Sequence, residues 1–571
     1  MRLTAIVWGS EIPMLTTAAD EQGVSLRVHP TYRMRDPAYL DSCIRELGDA
    51  DVILLHPTND AYWDTLIPEL PPGVPVISFG YDQSFWTLST VPLPVTATVN
   101  AYFVYGGADN MRNLLQFIRG KVLSQPATWD APSLHLWEGV YHPDAPRVFA
   151  TAEEYWEWRG KEKAHTVGIL FYRIYWSNGD LQAIDALIRE CEREYNTIAV
   201  FSVGTGDTGA GARDATEVIR QFLGDVDALI CLPSSALSHD PDEPVRVFEA
   251  LGVPVIHPLV LYYRTEEEWK ESLDGMGSIE MGWSVVLPEM YGMIGMIPIA
   301  SAVAEGPLGP GHAWHSPVKE RIQALVRRIG SLIRLRQKPA AEKRIAFVLN
   351  SSACASVEAN VGAAAHLDSL QSVVEILSRM KEEGFSVEVP ESGEALAREI
   401  LDRRAINEFR WTTVQDIVER GGALGIVERE TYEKWFLELP APLQSRIAAT
   451  WGDPPGEMKD GVPPAMLCQG GMVIPGLSFG NAVVCTQPKR GCAGSRCDGQ
   501  VCRILHDPEV PPPHHYLAVY RYLERVFGAD LIVHVGTHGT LEFLPGKSAA
   551  PSAECLPDAI LGDLPLLYLY N

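Results

Sequence analysis

The chain reads as α/β and multi-domain: parallel-sheet, flavodoxin-like units with a helical insert in the last third. Three observations predict this. Short β-branched runs alternate with amphipathic helical segments, the pattern of parallel strands joined by right-handed crossovers. At 571 residues the chain exceeds one ordinary domain. Its hydrophobic share of 46% can fill several cores. The predicted boundaries are 1–125 and 126–340 for two α/β domains, and 341–571 for the start of a third.

The first domain opens with strand "TAIVWG" and helix "PMLTTAADEQG". Strand "SLRVHP", helix "AYLDSCIRELG" and strands "DVILLHP" and "VPVISFG" follow. A second cycle starts at "TVGILFYR" and runs through "LQAIDALIRECEREY", "IAVFSV", "ATEVIRQFLG", "ALICLP" and "VPVIHP". The Pro/Gly-rich "AEGPLGPGHAWHSP" and a basic helix then set off the last third. There, strand "RIAFVLN" precedes a helix capped by Asp368, with Gln371 at the reciprocal box position and Gly384 as its stop. A mainly helical insert spans Gly393 to Ala449. Strand "NAVVCTQ", a long loop, helix "HHYLAVYRYLERVF" and strand "DLIVHV" complete the pattern. Ligands of parallel α/β sheets bind beyond the carboxyl ends of the strands. If these last strands share one sheet, the loops after Asn350, Gln487 and Val535 open onto one rim.

A net charge of -26 argues against binding nucleic-acid phosphates or anionic membrane surfaces. No signal peptide is visible, since Glu11 and Pro13 interrupt the first apolar run. The most apolar later stretch is broken by Pro288, Glu289 and Pro298, so no membrane span is expected. Five of the ten cysteines are scattered singly, which suits a reducing cytoplasm.

Four motifs carry chemistry. "GTGDTG", Gly204 to Gly209, fits a dinucleotide turn, but Asp207 would repel phosphate and no ribose-binding acid follows; a flexible glycine turn is expected. "GTLEFLPGKS" ends like a phosphate loop, yet Leu541 replaces the first glycine and Glu542 fills the crook, so that reading fails. Cys492, Cys497 and Cys502 are spaced C-x4-C-x4-C on a glycine-rich loop, compatible with zinc or an iron–sulfur cluster. A fourth ligand is open among Cys485, Cys468, Cys555 and His506. Finally, five of the fifteen histidines fall between His506 and His538, beside glycines and Glu542. Imidazole and carboxylate together bind divalent metals and take up protons near neutral pH.

"HVGTHGTLEFLPGK" resembles the signature H-x-G-x-H-G-x-x-E-[FW]-L-P-G-K of the cobaltochelatase large subunit CobN and magnesium chelatase H subunit family. Ordered blocks such as "GVYHPDAPRVFATAEEYWEW", "KPAAEKRIAFVLN", "QPKRG" and "HDPEVPPPHHYLAVYRYL" extend the resemblance over nearly the whole chain. Lys547 is closer to the cobalt branch, whereas "PEMYG" places Tyr291 where the family has an acid. The family's chains run well beyond this length, so this one looks like the amino-terminal half.

The resemblance implies a tetrapyrrole-binding chelatase subunit that inserts Co2+ into a corrin ring (hydrogenobyrinic acid a,c-diamide), or alternatively Mg2+ into protoporphyrin IX. It implies AAA+ motor partners of the CobS and CobT type, or the magnesium chelatase I and D type, which use the ATP. A non-catalytic tetrapyrrole carrier or sensor is a second reading, and an iron–sulfur redox protein a third. Metal insertion needs removal of the ring's inner N–H protons and shedding of the metal's water. Glu542 and His538 are assigned to that work, with His534 as a supporting ligand. Gln487, Arg490, His514 and His515 are the expected substrate-binding residues on the same rim, Arg490 through its planar fork. The pair His538 and Glu542 is expected to share a face of one helical turn. Gly536 and Gly539 would then let a macrocycle approach the backbone.

Overall fold

A computed structural model describes the chain except residues 135, 207–210, 235, 304, 307–308, 311–313, 351–360, 408–412, 460, 462, 492–503, 505–506 and 571. Two compact units emerge: residues 1–271 with 276–322, and residues 272–275 with 323–571.

The first unit begins with a four-stranded parallel sheet of β1 (Arg2–Val7), β2 (Ser25–Pro30), β3 (Val52–Leu55) and β4 (Val76–Ser78), in the order β2-β1-β3-β4. β3 and β4 are buried along their whole length, as strands covered on both faces must be. A second sheet holds β5 (Gly139–Tyr141), β6 (Thr166–Tyr172), β7 (Asn196–Ser202), β8 (Ala228–Cys231) and β9 (Val255–Ile256), ordered β5-β7-β6-β8-β9. Only β5 runs antiparallel. A smaller sheet joins β10 (Leu259–Thr265), β11 (Pro298–Ala302) and β14 (His315–Pro317). Between the last two lies the short hairpin of β12 (Glu305–Gly306) and β13 (Gly309–Pro310).

The second unit is organised by β15 (Ile345–Leu349), with β16 (Ala423–Val427), β17 (Leu467–Cys468), β18 (Gly471–Pro475), β19 (Leu477–Phe479), β20 (Ala482–Thr486), β21 (Leu531–Val535) and β22 (Leu566–Leu569). Its main sheet is ordered β19-β20-β15-β21-β22, again with an antiparallel edge strand only at β19. β16, β18 and β17 form a separate antiparallel sheet, so a strand interrupts the helical insert. Numbered from its own first parallel strand, each of the three parallel sheets therefore runs second, first, third, fourth. That order places a topological switch point between the first and third strands, where ligands of such sheets bind.

Local chemistry sets the helix boundaries. Asp368 accepts the Gln371 N–H at 3.0 Å and caps the helix Ser369–Glu382, and Gly384 turns left-handed at φ +87 beyond it. The reciprocal half of the predicted capping box is not made. The Gln371 side chain instead accepts the Gly393 N–H at 2.8 Å and so ties this helix to the start of the next, Gly393–Asp402. The helix His514–Tyr522 begins after three prolines and is buried from His514 to Arg521, packing with β18 and β20 in the core.

Candidate functional site

The register Leu349↔Thr486, Leu349↔Val535 and Val535↔Leu569 brings the carboxyl ends of β20, β15, β21 and β22 into line. The predicted single rim is therefore real. Asn350, Gln487, the Gly536–Glu542 loop and Tyr570 stand side by side on it.

A hydrogen-bond chain ties the rim to the core. Gln487, itself buried, accepts the Thr540 N–H at 2.7 Å and donates through Nε2 to the Tyr520 hydroxyl at 3.3 Å. That hydroxyl lies 3.0 Å from His534 Nε2. Gln487 fills one acceptor site on the phenol oxygen, and the Tyr520–His534 contact carries the chain into the core. Tyr516 closes the other side of the loop, its hydroxyl 2.9 Å from Thr540 Oγ1.

This arrangement corrects the expectation that His534 turns towards the rim. The strand carrying it is covered on both faces, so the imidazole is 1% exposed, and burial pushes its pKa down to about 4. His514 and His515 are likewise turned inward. His514 bonds the Tyr432 hydroxyl at 2.8 Å through Nδ1 and the Gly452 carbonyl at 2.9 Å through Nε2, using both nitrogens. His515 Nε2 donates to the Val473 carbonyl at 3.0 Å, and burial lowers its pKa to about 4. The Arg490 fork is buried, and its Nη2 donates to the carbonyls of Asp507 and Val510 at 2.9 and 3.1 Å. It fastens the segment that leads into the helix His514–Tyr522.

His538 and Glu542 behave differently. Both are exposed, in a loop of bends and turns and not on a helical turn. Tyr568 of the last strand and Tyr570 just beyond it gather them: the His538 ring centroid lies 5.9 Å from that of Tyr570, and the Tyr568 hydroxyl donates to Glu542 Oε1 at 3.2 Å. The two tyrosine rings are 5.2 Å apart. Burial pushes the Tyr568 phenol pKa up, opposed by the neighbouring Asn350 amide and the Gly539 N–H. The Asn350 amide is buried, and neither of its polar atoms has a well-formed hydrogen bond among the described residues. Sequence reading missed Asn350, Tyr520, Tyr568 and Tyr570. "LYLY" is the one local signal, an alternating strand pattern at the end of the chain.

The glycines make room for the protein itself. A Cβ at Gly536, at φ +120, would lie 2.7 Å from the Ala363 carbonyl oxygen and 2.9 Å from Asn350 Cβ. At Gly539 it would face Glu542 Oε2 at 3.1 Å and the Tyr568 hydroxyl at 3.3 Å. Lys547 is also anchored, its Nζ donating to the Ser272 carbonyl at 2.6 Å.

Cys492, Cys497, Cys502 and His506 lie outside the described residues, as do residues 207–210 of the glycine turn. Of the suggested fourth ligands, Cys485 is buried with its thiol pushed up to about 12, and Cys555 accepts the N–H groups of Lys547 and Ser552 at 3.3 Å. Among the described residues no group of three or more His, Cys, Asp or Glu is arranged to hold a metal ion. No helix among them is long and apolar enough to cross a membrane.

The third parallel sheet thus displays an exposed carboxylate and an exposed imidazole on its carboxyl rim, the place where ligands of such sheets bind. The CobN/Magnesium Chelatase family profile matches residues 100–571, and the chain belongs to that family. It is 40% identical to the uncharacterized protein MJ1441 of Methanocaldococcus jannaschii, over 100% of this chain and 46% of that protein. It is 30% identical to the chloroplastic magnesium-chelatase subunit ChlH of Oryza sativa subsp. indica, over 82% of this chain and 33% of the relative. The aerobic cobaltochelatase subunit CobN of Sinorhizobium sp is 28% identical over 96% and 42%. Among solved structures, the catalytic subunit of cobaltochelatase from Mycobacterium tuberculosis superposes with a TM-score of 0.63 at 26% identity, covering 99% of this chain and 45% of that one. The chain thus spans less than half the length of these relatives.

Proposed function

We propose that this chain is the tetrapyrrole-binding part of a metal chelatase large subunit, and that it serves insertion of Co2+ into a corrin, hydrogenobyrinic acid a,c-diamide. The observation that carries the reading is the contrast on the rim. His534, His514 and His515 are consumed by internal hydrogen bonds, whereas His538 and Glu542 stand exposed beside one another's tyrosine supports. Insertion removes two protons from the ring nitrogens as the metal exchanges its water for those nitrogens. Glu542 takes up one of these protons and solvent water the other, and Glu542 and His538 are temporary ligands that hand the metal on. Two protein donors suit a metal in transit, because a closed cage of protein ligands would retain it. Relatives named for cobalt and for magnesium are about equally similar, so Mg2+ insertion into protoporphyrin IX is the competing reading.

ATP hydrolysis then belongs to AAA+ partners of the CobS and CobT type, or of the magnesium chelatase I and D type, in keeping with the missing phosphate loop. We also infer that 1–125 and 126–340 are separate α/β domains, each with its own sheet, and that Cys492, Cys497 and Cys502 hold a cluster or zinc. Metal analysis of a variant with serine at all three cysteines tests the latter. The function itself is tested by titrating the chain with hydrogenobyrinic acid diamide, protoporphyrin and sirohydrochlorin side by side. Tighter binding of the corrin precursor supports the cobalt reading. Preference for protoporphyrin supports magnesium, and no binding of any ring overturns both.

A further inference from the structure

Glu542 is an exposed side chain in a loop without regular structure, and such a carboxylate ordinarily samples several rotamers. Here one phenol restrains it. Tyr568, in β22 opposite His534 of β21, accepts the Gly539 N–H at its hydroxyl oxygen and lies 3.2 Å from Glu542 Oε1. The polarity of this pair of bonds is forced. A backbone N–H only donates, an ionised carboxylate only accepts, and the phenol has a single proton to give. Gly539 therefore fills an acceptor site on Tyr568, and the phenol proton goes to Glu542.

Space at Gly539 reinforces the aim. Glu542 Oε2, the Tyr568 hydroxyl and Asn350 Oδ1 converge on the place its Cβ would occupy, at 3.1, 3.3 and 3.4 Å. The Tyr568 ring is itself held, edge-on to His534 at 5.7 Å and tilted against Tyr570 at 5.2 Å. The strand thus supplies a rigid arm, and the loop supplies the group to be aimed.

We propose that Tyr568 is the positioning residue of this site, aiming the Glu542 carboxylate at the incoming metal. The proposal rests on the reading of Glu542 as the acting carboxylate. Tyr568 does not itself touch the metal or the ring; it sets where the carboxylate stands when they arrive.

A double-mutant cycle on the whole chain tests this, with Co2+ as the probe and its visible d–d absorption as the readout. Tyr568→Phe keeps the ring against His534 and removes only the hydroxyl. It is expected to weaken Co2+ binding about three- to tenfold, the scale of one hydrogen bond to a charged group, and to alter the bound-Co2+ spectrum. Tetrapyrrole affinity should stay within about twofold. In a Glu542→Gln background the same change should cost nothing further, because its effect passes through the carboxylate. Gly539→Ala, which crowds both Glu542 Oε2 and the Tyr568 hydroxyl, should also alter the bound-Co2+ spectrum. If Tyr568→Phe weakens Co2+ equally in both backgrounds, the positioning role is overturned while Glu542 keeps its own. If Glu542→Gln leaves Co2+ binding unchanged, both are overturned together.

Discussion

The carboxyl rims of the first and third parallel sheets carry the same residue types at the same topological place and use them in opposite ways. Beyond β1 and β3, His56 Nδ1 lies 2.8 and 3.0 Å from the two oxygens of Glu11, and the Trp8 N–H donates to Glu11 Oε2 at 2.9 Å. Trp8 stacks on the imidazole at 4.3 Å and 9°, and His56 is buried. Acid and base there satisfy each other. Beyond β21, Glu542 meets a neutral phenol and His538 lies exposed against a ring. A histidine and a glutamate at a switch point are therefore not enough to define a site. What matters is whether their donors and acceptors are already taken.

Backbone packing gives the largest expected effects. Gly80→Ala, at φ +123, would put a Cβ 2.6 Å from the His56 ring; Gly536→Ala would put one 2.7 Å from a backbone oxygen. Each should destabilise its unit by on the order of 3 kcal/mol, read from urea unfolding. Tolerance of both would mean the two rims are not closed in this way.

Acid should weaken both units through buried histidines away from the exposed pair. Burial pushes the pKa of His257 in the first unit and His515 in the second down to about 4, against an ordinary value of 6.5. Each is neutral when folded, so its contribution is complete above the unfolded pKa. It is lost as pH falls from 6.5 towards 4, by up to about 3 kcal/mol per group. Unfolding midpoints at pH 7 and pH 4.5 measure this, and a flat profile would contradict it.

The contrast between the rims predicts a smaller difference between two substitutions. His56→Ala strips Glu11 of its partner in a largely buried position and should cost about 2 kcal/mol. His538→Ala, at an exposed position, should change stability by less than about 0.5 kcal/mol. Equal costs would erase the distinction drawn here.

Much of this was legible in the sequence, for physical reasons. β-branched runs between helices mark parallel strands, and a parallel sheet places its loops on one rim, so the segments after Asn350, Gln487 and Val535 were found together. His538 and Glu542 were recognisable because they sit among glycines in a loop. His534 was not: a strand buried on both faces has no alternation to show which way a side chain turns. His514 and His515 were misplaced because their partners, Tyr432, Gly452 and Val473, are distant in sequence. Tyr568 and Tyr570 were invisible as site residues, since only the pairing of β22 with β21 brings them to the loop. Gly536 and Gly539 were flagged correctly but for the wrong occupant, the protein's own carbonyl and carboxylate filling the space.

The most direct measurement is steady-state metal insertion by the assembled chelatase carrying Glu542→Gln, compared with the same enzyme carrying Glu11→Gln. Glu542→Gln should lower insertion by about two orders of magnitude, as for loss of a general base, with tetrapyrrole affinity intact. Glu11→Gln should lower stability and leave the insertion rate of folded enzyme unchanged. Full insertion activity in Glu542→Gln would contradict the account.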